Sequence, residues 1–214
     1  MNYDANELLI MLDDGETDDI TKLSDLDDVI INAKLKEEGG SRKLILDGMR
    51  LSDIFKLSNA FGGYAFDDSN THHVARLPIG NVILIEKDVL EVEVQNVLTG
   101  EDLDIKVVAI DNENTGEMTA VAYESNNTGG DSQSINDCQA VFNMEEFEGG
   151  ASINDKENQY KISSREAVNV ANATFDIESY IDDLGLVYTD PTSESRDISA
   201  KLPSGRYVFV RKIY

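Results

Sequence analysis

Between Asn81 and Glu124 the chain passes through a series of short apolar–polar alternations: Asn81 to Glu86, Val89 to Leu98, Leu103 to Ile110 and Glu117 to Glu124. Period-two alternation marks a strand with one face on a core and the other in water, and runs joined by short connections suit an antiparallel meander. The second and third runs share one register. With Leu98 opposite Leu103 across Thr99-Gly100-Glu101-Asp102, Val94 meets Val107 and Val92 meets Ala109, while Gln95 meets Lys106 and Glu93 meets Val108. One face is then apolar and the other mostly polar, as a half-buried sheet requires. The pattern predicts Val92, Val94, Leu103, Ile105 and Val107 inside, with Glu91, Glu93 and Lys106 outside.

The flanks read as helical. Leu8, Leu9, Met11 and Leu12 give a short apolar face ended by Asp13-Asp14-Gly15. Leu23, Leu26, Ile30 and Ala33 recur at helical spacing, with Ser24 as N-cap, Asp25, Asp27 and Asp28 in the first turn, Lys34 and Lys36 in the last, and Gly39-Gly40 as the stop. Lys43 to Asp47 reads as a short strand. Ile54, Phe55, Leu57 and Phe61 mark a helix from Ser52 to Ala60, closed by Gly62-Gly63.

Asn126 to Asp137 and Glu145 to Gln159 are polar and read as loops. Ser163-Ser164-Arg165-Glu166 has capping-box spacing before a helix to Asn172, and Ile177, Tyr180, Ile181 and Leu184 mark another, stopped by Gly185. A turn follows around Pro191, and an aromatic, alternating strand runs from Arg206 to Tyr214. The expected fold class is therefore α+β: an antiparallel β meander core with N-terminal helices, two C-terminal helices and a terminal strand. The expected organisation is an acidic helical segment over 1–40, a β-rich core over 41–148, and a helical segment plus terminal strand over 149–214 that forms one compact unit with the core.

Charge narrows the function classes. The 214 residues hold 42 Asp+Glu and 18 Lys+Arg, a formal net of −24. The excess is uneven: residues 86–160 carry 18 acids and three bases, whereas Arg196, Lys201, Arg206, Arg211 and Lys212 face one acid, Asp197, at the end of the chain. Such a field repels phosphate and anionic membrane and attracts basic surfaces. Two basic islands stand out, Arg42, Lys43, Arg50, Lys56 and Arg76 in one, and Arg206, Tyr207, Phe209, Arg211 and Lys212 in the other. The second interleaves bases with aromatics, which suits single-stranded nucleic acid. The field of the acidic body opposes a polyanion, so no nucleic acid and no membrane is expected as a partner.

Candidate chemistry is thin. The single Cys138 excludes an internal disulfide and a cysteine-based zinc cluster, and its setting before Ala140-Val141-Phe142 suits a buried small hydrophobe. Asp111 to Gly116 resembles the opening of an EF-hand loop, but Ala122 stands where the bidentate Glu is required. His72 and His73, near Asp67 and Asp68, are adjacent on an extended segment and point to opposite sides, which does not suit one metal. No Walker loop, G-x-G-x-x-G or G-x-S-x-G occurs. No catalytic residue, metal or cofactor is expected. The N-terminus lacks the basic and long apolar regions of a signal peptide, and no run approaches the length of a spanning helix, which predicts synthesis in the cytoplasm.

These features lead to the expectation of a non-catalytic assembly protein, whose partners are copies of itself or other subunits, of the kind incorporated into a viral (phage) particle. Arg206, Tyr207, Phe209, Arg211 and Lys212 are the expected partner-binding residues, through addition to a neighbour's sheet or acidic face. Alternatives are an acidic decoy that binds a basic, nucleic-acid-binding protein, an adaptation to a salty habitat, and an enzyme.

Overall fold

The computed structural model describes residues 3–13, 22–60, 72–84, 87–95, 104–111, 120–128, 132–134, 138–145, 151–154, 159–162, 199–202 and 204–213. They fall into two compact units, the first comprising Met1–Ala122 with Ile213–Tyr214 and the second Tyr123–Lys212. Strand dominates both. Among the described residues there is one α-helix, so the expected α+β class is corrected to a mostly β fold.

In the first unit, β1 (Tyr3–Asp13) lies at the centre of a three-stranded antiparallel sheet, between β4 (His72–Leu84) and β6 (Asp104–Ile110). Leu8, Ile10 and Leu12 are fully or almost fully buried and Leu9 and Met11 half-buried. The sequence reads this stretch as a helix because a continuous apolar run carries no period. A central strand covered on both faces has the same composition. Glu7 is buried at the same level and accepts a two-pronged hydrogen bond from Arg76, at 2.6 Å from Nε and 2.9 Å from Nη2. That bond raises the Arg76 guanidinium above its already high value.

The second expected helix is also a correction. Leu23–Leu26 forms one turn of 3-10 helix, closed at its start by the Asp25 carboxylate accepting from the Lys22 N–H, and β2 (Ile30–Lys36) follows. Val29, Ile31, Ala33 and Leu35 are buried, a period of two that competes with the helical spacing of Leu23, Leu26, Ile30 and Ala33. Gly39 and Gly40 do not stop a helix. They sit in the hairpin turn to β3 (Arg42–Arg50), where the Gly40 N–H donates to Glu37 O at 2.9 Å with Gly40 at φ +82. This is a type of three-residue hairpin loop that needs one left-handed residue.

β3 is longer than the Lys43 to Asp47 run suggests and is bulged twice against β2. At one bulge Gly48 adopts φ +63 and its N–H donates to Asn32 Oδ1 at 2.8 Å. At the other, the alternation breaks, and Ile45 and Leu46 are both buried. α1 (Leu51–Ala60) follows at once, as the sequence predicts, with Leu51, Ile54, Phe55 and Leu57 buried. It lies against β4, the outer strand of its sheet, and the Ser58 hydroxyl accepts from the Arg76 N–H at 2.8 Å.

The meander is overturned. β5 (Val89–Gln95) pairs antiparallel with β2, Ile31 facing Val94 and Ala33 facing Val92, whereas β6 pairs with β1, Leu12 facing Ile105 and Ile10 facing Val107. The two runs joined by the expected hairpin therefore belong to different sheets. Their inside–outside alternation holds: Val92, Val94, Ile105 and Val107 are half-buried and Glu91, Glu93 and Lys106 exposed, while Leu103 lies outside the described residues. Pairing within a sheet is set by partners far away in the chain, and any two half-buried strands satisfy the register test equally.

In the second unit β7 (Val121–Thr128), β13 (Gly205–Lys212) and β9 (Cys138–Asn143) are neighbours in that order. A smaller antiparallel sheet has the order β11 (Gln159–Ile162), β10 (Ala151–Asn154), β12 (Ser199–Lys201), β8 (Ser132–Ser134). β8 and β10 replace parts of the expected loops at 126–137 and 145–159. The expected helices over 163–172 and 177–184, the turn around Pro191, Phe61 and Gly62-Gly63 lie outside the described residues.

Candidate functional site

The expected partner-binding strand lies in its own chain's sheet. Tyr207 faces Asn143, Val208 faces Phe142 and Phe209 faces Val141 in the pairing of β13 with β9. Arg206 to Val210 are all buried, so both faces of the strand are covered, as its two apolar faces predict. Arg206 Nη1 lies 3.9 Å from a Glu145 oxygen, and Arg211 Nε 2.9 Å from Glu124 Oε2, with the Arg211 guanidinium 5.6 Å from the centre of the Phe209 ring. Lys212 is half-buried. Burial, with the Glu145 carboxylate adding repulsion, pushes the Tyr207 hydroxyl up to about 12, and burial raises that of Tyr123 further still.

The other candidates are dispersed. His72 is exposed, with Nε2 3.0 Å from Asp13 Oδ2, while His73 is buried and meets the Phe55 ring edge-on at 6.1 Å. The pair does point to opposite sides. Asp67 and Asp68, and Asn112 to Gly116 of the EF-hand-like stretch, lie outside the described residues, and Asp111 accepts a 3.3 Å hydrogen bond from Asn6. Cys138 is buried. Among the described residues no three His, Cys, Asp or Glu stand together as a metal site, and no helix is long and apolar enough to cross a membrane.

The structure assembles a different surface, on the outer face of β5, β2 and β3. Cross-strand partners share a face. Lys36 therefore stands between Val89 and Arg42, Lys34 between Glu91 and Leu44, and Ile30 between Gln95 and Arg50, with Asn32 beside Glu93. The opposite face carries the buried Ile31, Ala33, Leu35, Leu46 and Met49. Three columns result: acidic Glu91 and Glu93 on β5, basic Lys34 and Lys36 on β2, and basic Arg42 and Arg50 on β3.

Lys36 Nζ lies 3.3 Å from Glu91 Oε1, an exposed contact. Lys34, Arg42 and Arg50 form no ion pair among the described residues. Leu44 and Val89, at 42% and 51% exposure, are the exposed large hydrophobic residues among the described ones, and both stand on this face. Four cations, two of them arginines, thus gather on two strands of a chain that nets −24.

Of the first basic island, only Arg42 and Arg50 contribute. Lys43 points the other way and pairs with Glu37 at 2.9 Å, Lys56 lies 4.0 Å from Asp53, and Arg76 is bound to Glu7. Lys34 and Lys36 are missed because the helical reading of 23–36 places them in a last turn; their spacing of two between Ala33 and Leu35 was the available signal. No model of a known protein family matches the chain, and no curated protein matches it.

Proposed function

We propose that this protein is a non-catalytic structural subunit of an oligomeric assembly. The observation that supports the reading is the outer face of β5, β2 and β3, where exposed Leu44 and Val89 stand among Lys34, Arg42 and Arg50, cations that form no ion pair among the described residues. Exposed apolar side chains set among charges are what a protein contact uses, because the apolar part gains by burial and the charges select the partner. The narrower proposal, a component of a viral (phage) particle, is carried over from the sequence as an analogy at the level of fold class.

The native mass tests it. Light scattering in low and in high salt gives an assembly well above the 23.6 kDa chain if the reading holds. A second reading, the acidic decoy, is favoured by the net charge of −24. A chain that stays monomeric at every salt concentration and captures basic, nucleic-acid-binding proteins supports the decoy and overturns the assembly.

A further inference from the structure

β5 and β6 follow one another in the chain, yet each ends a sheet. β6 is the last strand beyond β1, and β5 the last beyond β2. Among the described residues neither has a neighbouring strand on its other side. β4, at the far end of the three-stranded sheet, is by contrast flanked by α1, where the Arg76 N–H reaches Ser58. An edge strand offers unused N–H and C=O groups to another strand. Both edges are seven residues long, Val89–Gln95 and Asp104–Ile110.

Hydrogen bonds within the unit fix which of these groups point outward. In an antiparallel ladder successive residues turn their N–H and C=O to opposite sides. The Glu37 N–H donates to Ser41 O at 3.0 Å and Val29 O accepts from the Leu51 N–H at 2.8 Å, so the odd-numbered residues of β2 turn to β3. The even-numbered ones, among them Lys34 and Lys36, turn to β5 and engage Glu91 and Val89. Leu90, Val92 and Val94 are left to face the free edge. In the other sheet the Arg76 N–H goes to Ser58, away from β1, so Leu9, the partner of Arg76, turns to β6 and engages Val108. Ile105, Val107 and Ala109 then face the free edge. In both strands these are also the residues whose side chains lie inward, beside the buried Leu35, Ala33 and Ile31 in one sheet and Leu12, Ile10 and Leu8 in the other.

Two edges of this kind join antiparallel with their inner faces on one side of the enlarged sheet. We infer that β5 of one copy pairs antiparallel with β6 of the next, Val92 opposite Val107, a contact that rests on the assembly reading and names its strands. Leu90 then meets Ala109 and Val94 meets Ile105, and these outward-facing residues exchange the main-chain bonds by which strands are added to an edge. The strands overlap from Val89 opposite Ile110 to Gln95 opposite Asp104, their whole described length. On the outer face Glu93 meets Lys106, and neither forms an ion pair among the described residues. Val89, at 51% exposure, gains Ile110 as an apolar neighbour. A slip of two residues one way sets Glu93 against Asp104, and the other way sets it against Val108. Pairing β5 with a second β5 about Val92 sets Glu91 against Glu93, which like charges oppose. Each copy has one edge of each kind, so the contact runs head to tail and repeats from copy to copy.

Proline tests it, because Val92→Pro and Val107→Pro each remove an N–H that the chain's own ladder does not use, a place where edge strands accept proline. Full-length protein is used at about 0.5 mM, since a single strand pair is a small contact, in about 0.15 M salt, where the Debye length of about 8 Å limits repulsion between acidic bodies. Circular dichroism establishes folding, and sedimentation reads mass. Wild type should reach at least twice the mass of the 23.6 kDa chain, and each variant alone should fall to that of one chain. An equimolar mixture should reach twice the chain mass and go no further. Val107→Pro keeps the β5 edge and Val92→Pro keeps the β6 edge, so the one contact they form ends the series. If Val92→Pro dimerises alone, β6 pairs with itself, and if Val107→Pro does, β5 pairs with itself; either result overturns the inference. So do wild-type mass in both variants and a mixture that stays monomeric, while an assembly through another surface stands. Should a proline variant fail to fold, the exposed Glu93→Lys and Lys106→Glu replace it. Each alone should lower the associated fraction and both in one chain should restore it, and no restoration overturns the pairing. If wild type is monomeric, the assembly reading falls with it.

Discussion

Asn32 and Gly48 show how two residues settle a bulge. The extra residue in β3 needs a left-handed backbone, which Gly48 supplies at φ +63, and the N–H it presents is taken by the Asn32 side chain at 2.8 Å. A Cβ on Gly48 would meet no atom within 4 Å, so Gly48→Ala carries a conformational cost alone. That cost should be about 1–2 kcal/mol by urea unfolding. Asn32→Ala, which leaves the N–H without its acceptor, should cost about 1 kcal/mol, and the two should not add, because both act on one bulge. Tyr207 supplies a pH signature. Its hydroxyl ionises near the ordinary value of about 10 in the unfolded chain and near about 12 in the fold. Above pH 10 the unfolded state gives up this proton first, so folding stability should be full below pH 10 and fall between pH 10 and 12. Tyr207→Phe should lessen that decline in a series of unfolding curves, and the part that remains belongs to buried Tyr123, whose hydroxyl burial also raises. A decline of unchanged slope would show that Tyr207 is not its source.

At the level of elements, β13 decides whether the second unit holds together. With Tyr207, Val208, Phe209 and Val210 buried between β7 and β9, Phe209→Ala should cost about 3–5 kcal/mol. Removing residues 206–214 should leave a chain that is unfolded or insoluble, read by circular dichroism and solubility. A truncated protein that stays folded and soluble would contradict the packing described for this strand. The covering of both its faces was legible in the sequence, because Tyr207 and Phe209 on one side and Val208 and Val210 on the other leave neither side fit for water. α1 was legible too, from apolar spacing closed by glycines. β1 was not, since Leu8 to Leu12 has no period to distinguish a buried strand from a helix. In β2 two patterns overlap and share Ala33; the helical one runs through Leu23 and Leu26, and the alternating one through Val29, Ile31 and Leu35, which tertiary pairing selects. The candidate site was legible only in part. Arg42 and Arg50 were visible as a basic island, yet their company with Lys34, Lys36, Glu91 and Glu93 depends on β5 pairing with β2, which no local pattern states.

For the molecule as a whole, a net of −24 should make stability depend on salt. Self-repulsion among the acids is relieved as counter-ions screen it, so the melting temperature should rise with NaCl and level off by about 0.5 M, where the Debye length is only a few ångströms. A flat response in differential scanning calorimetry would mean that the acids are already neutralised, for instance by bound cations, and millimolar Ca²⁺ at constant ionic strength would then tell whether that ion is responsible. The position of β1 has a consequence for how the protein is made. Its two neighbours come much later in the chain: Asp13 meets His72, 59 positions on, and Glu7 meets Ile110, 103 positions on. A ribosome adding about 5–20 residues per second needs roughly 3–12 s to reach His72 after Asp13. Throughout that interval Leu8-Leu9-Ile10-Met11-Leu12, among the most apolar stretches of the chain, has been synthesised but has no strand to pair with, so the newborn protein depends on being shielded early, by a chaperone or by its own acidic flanks.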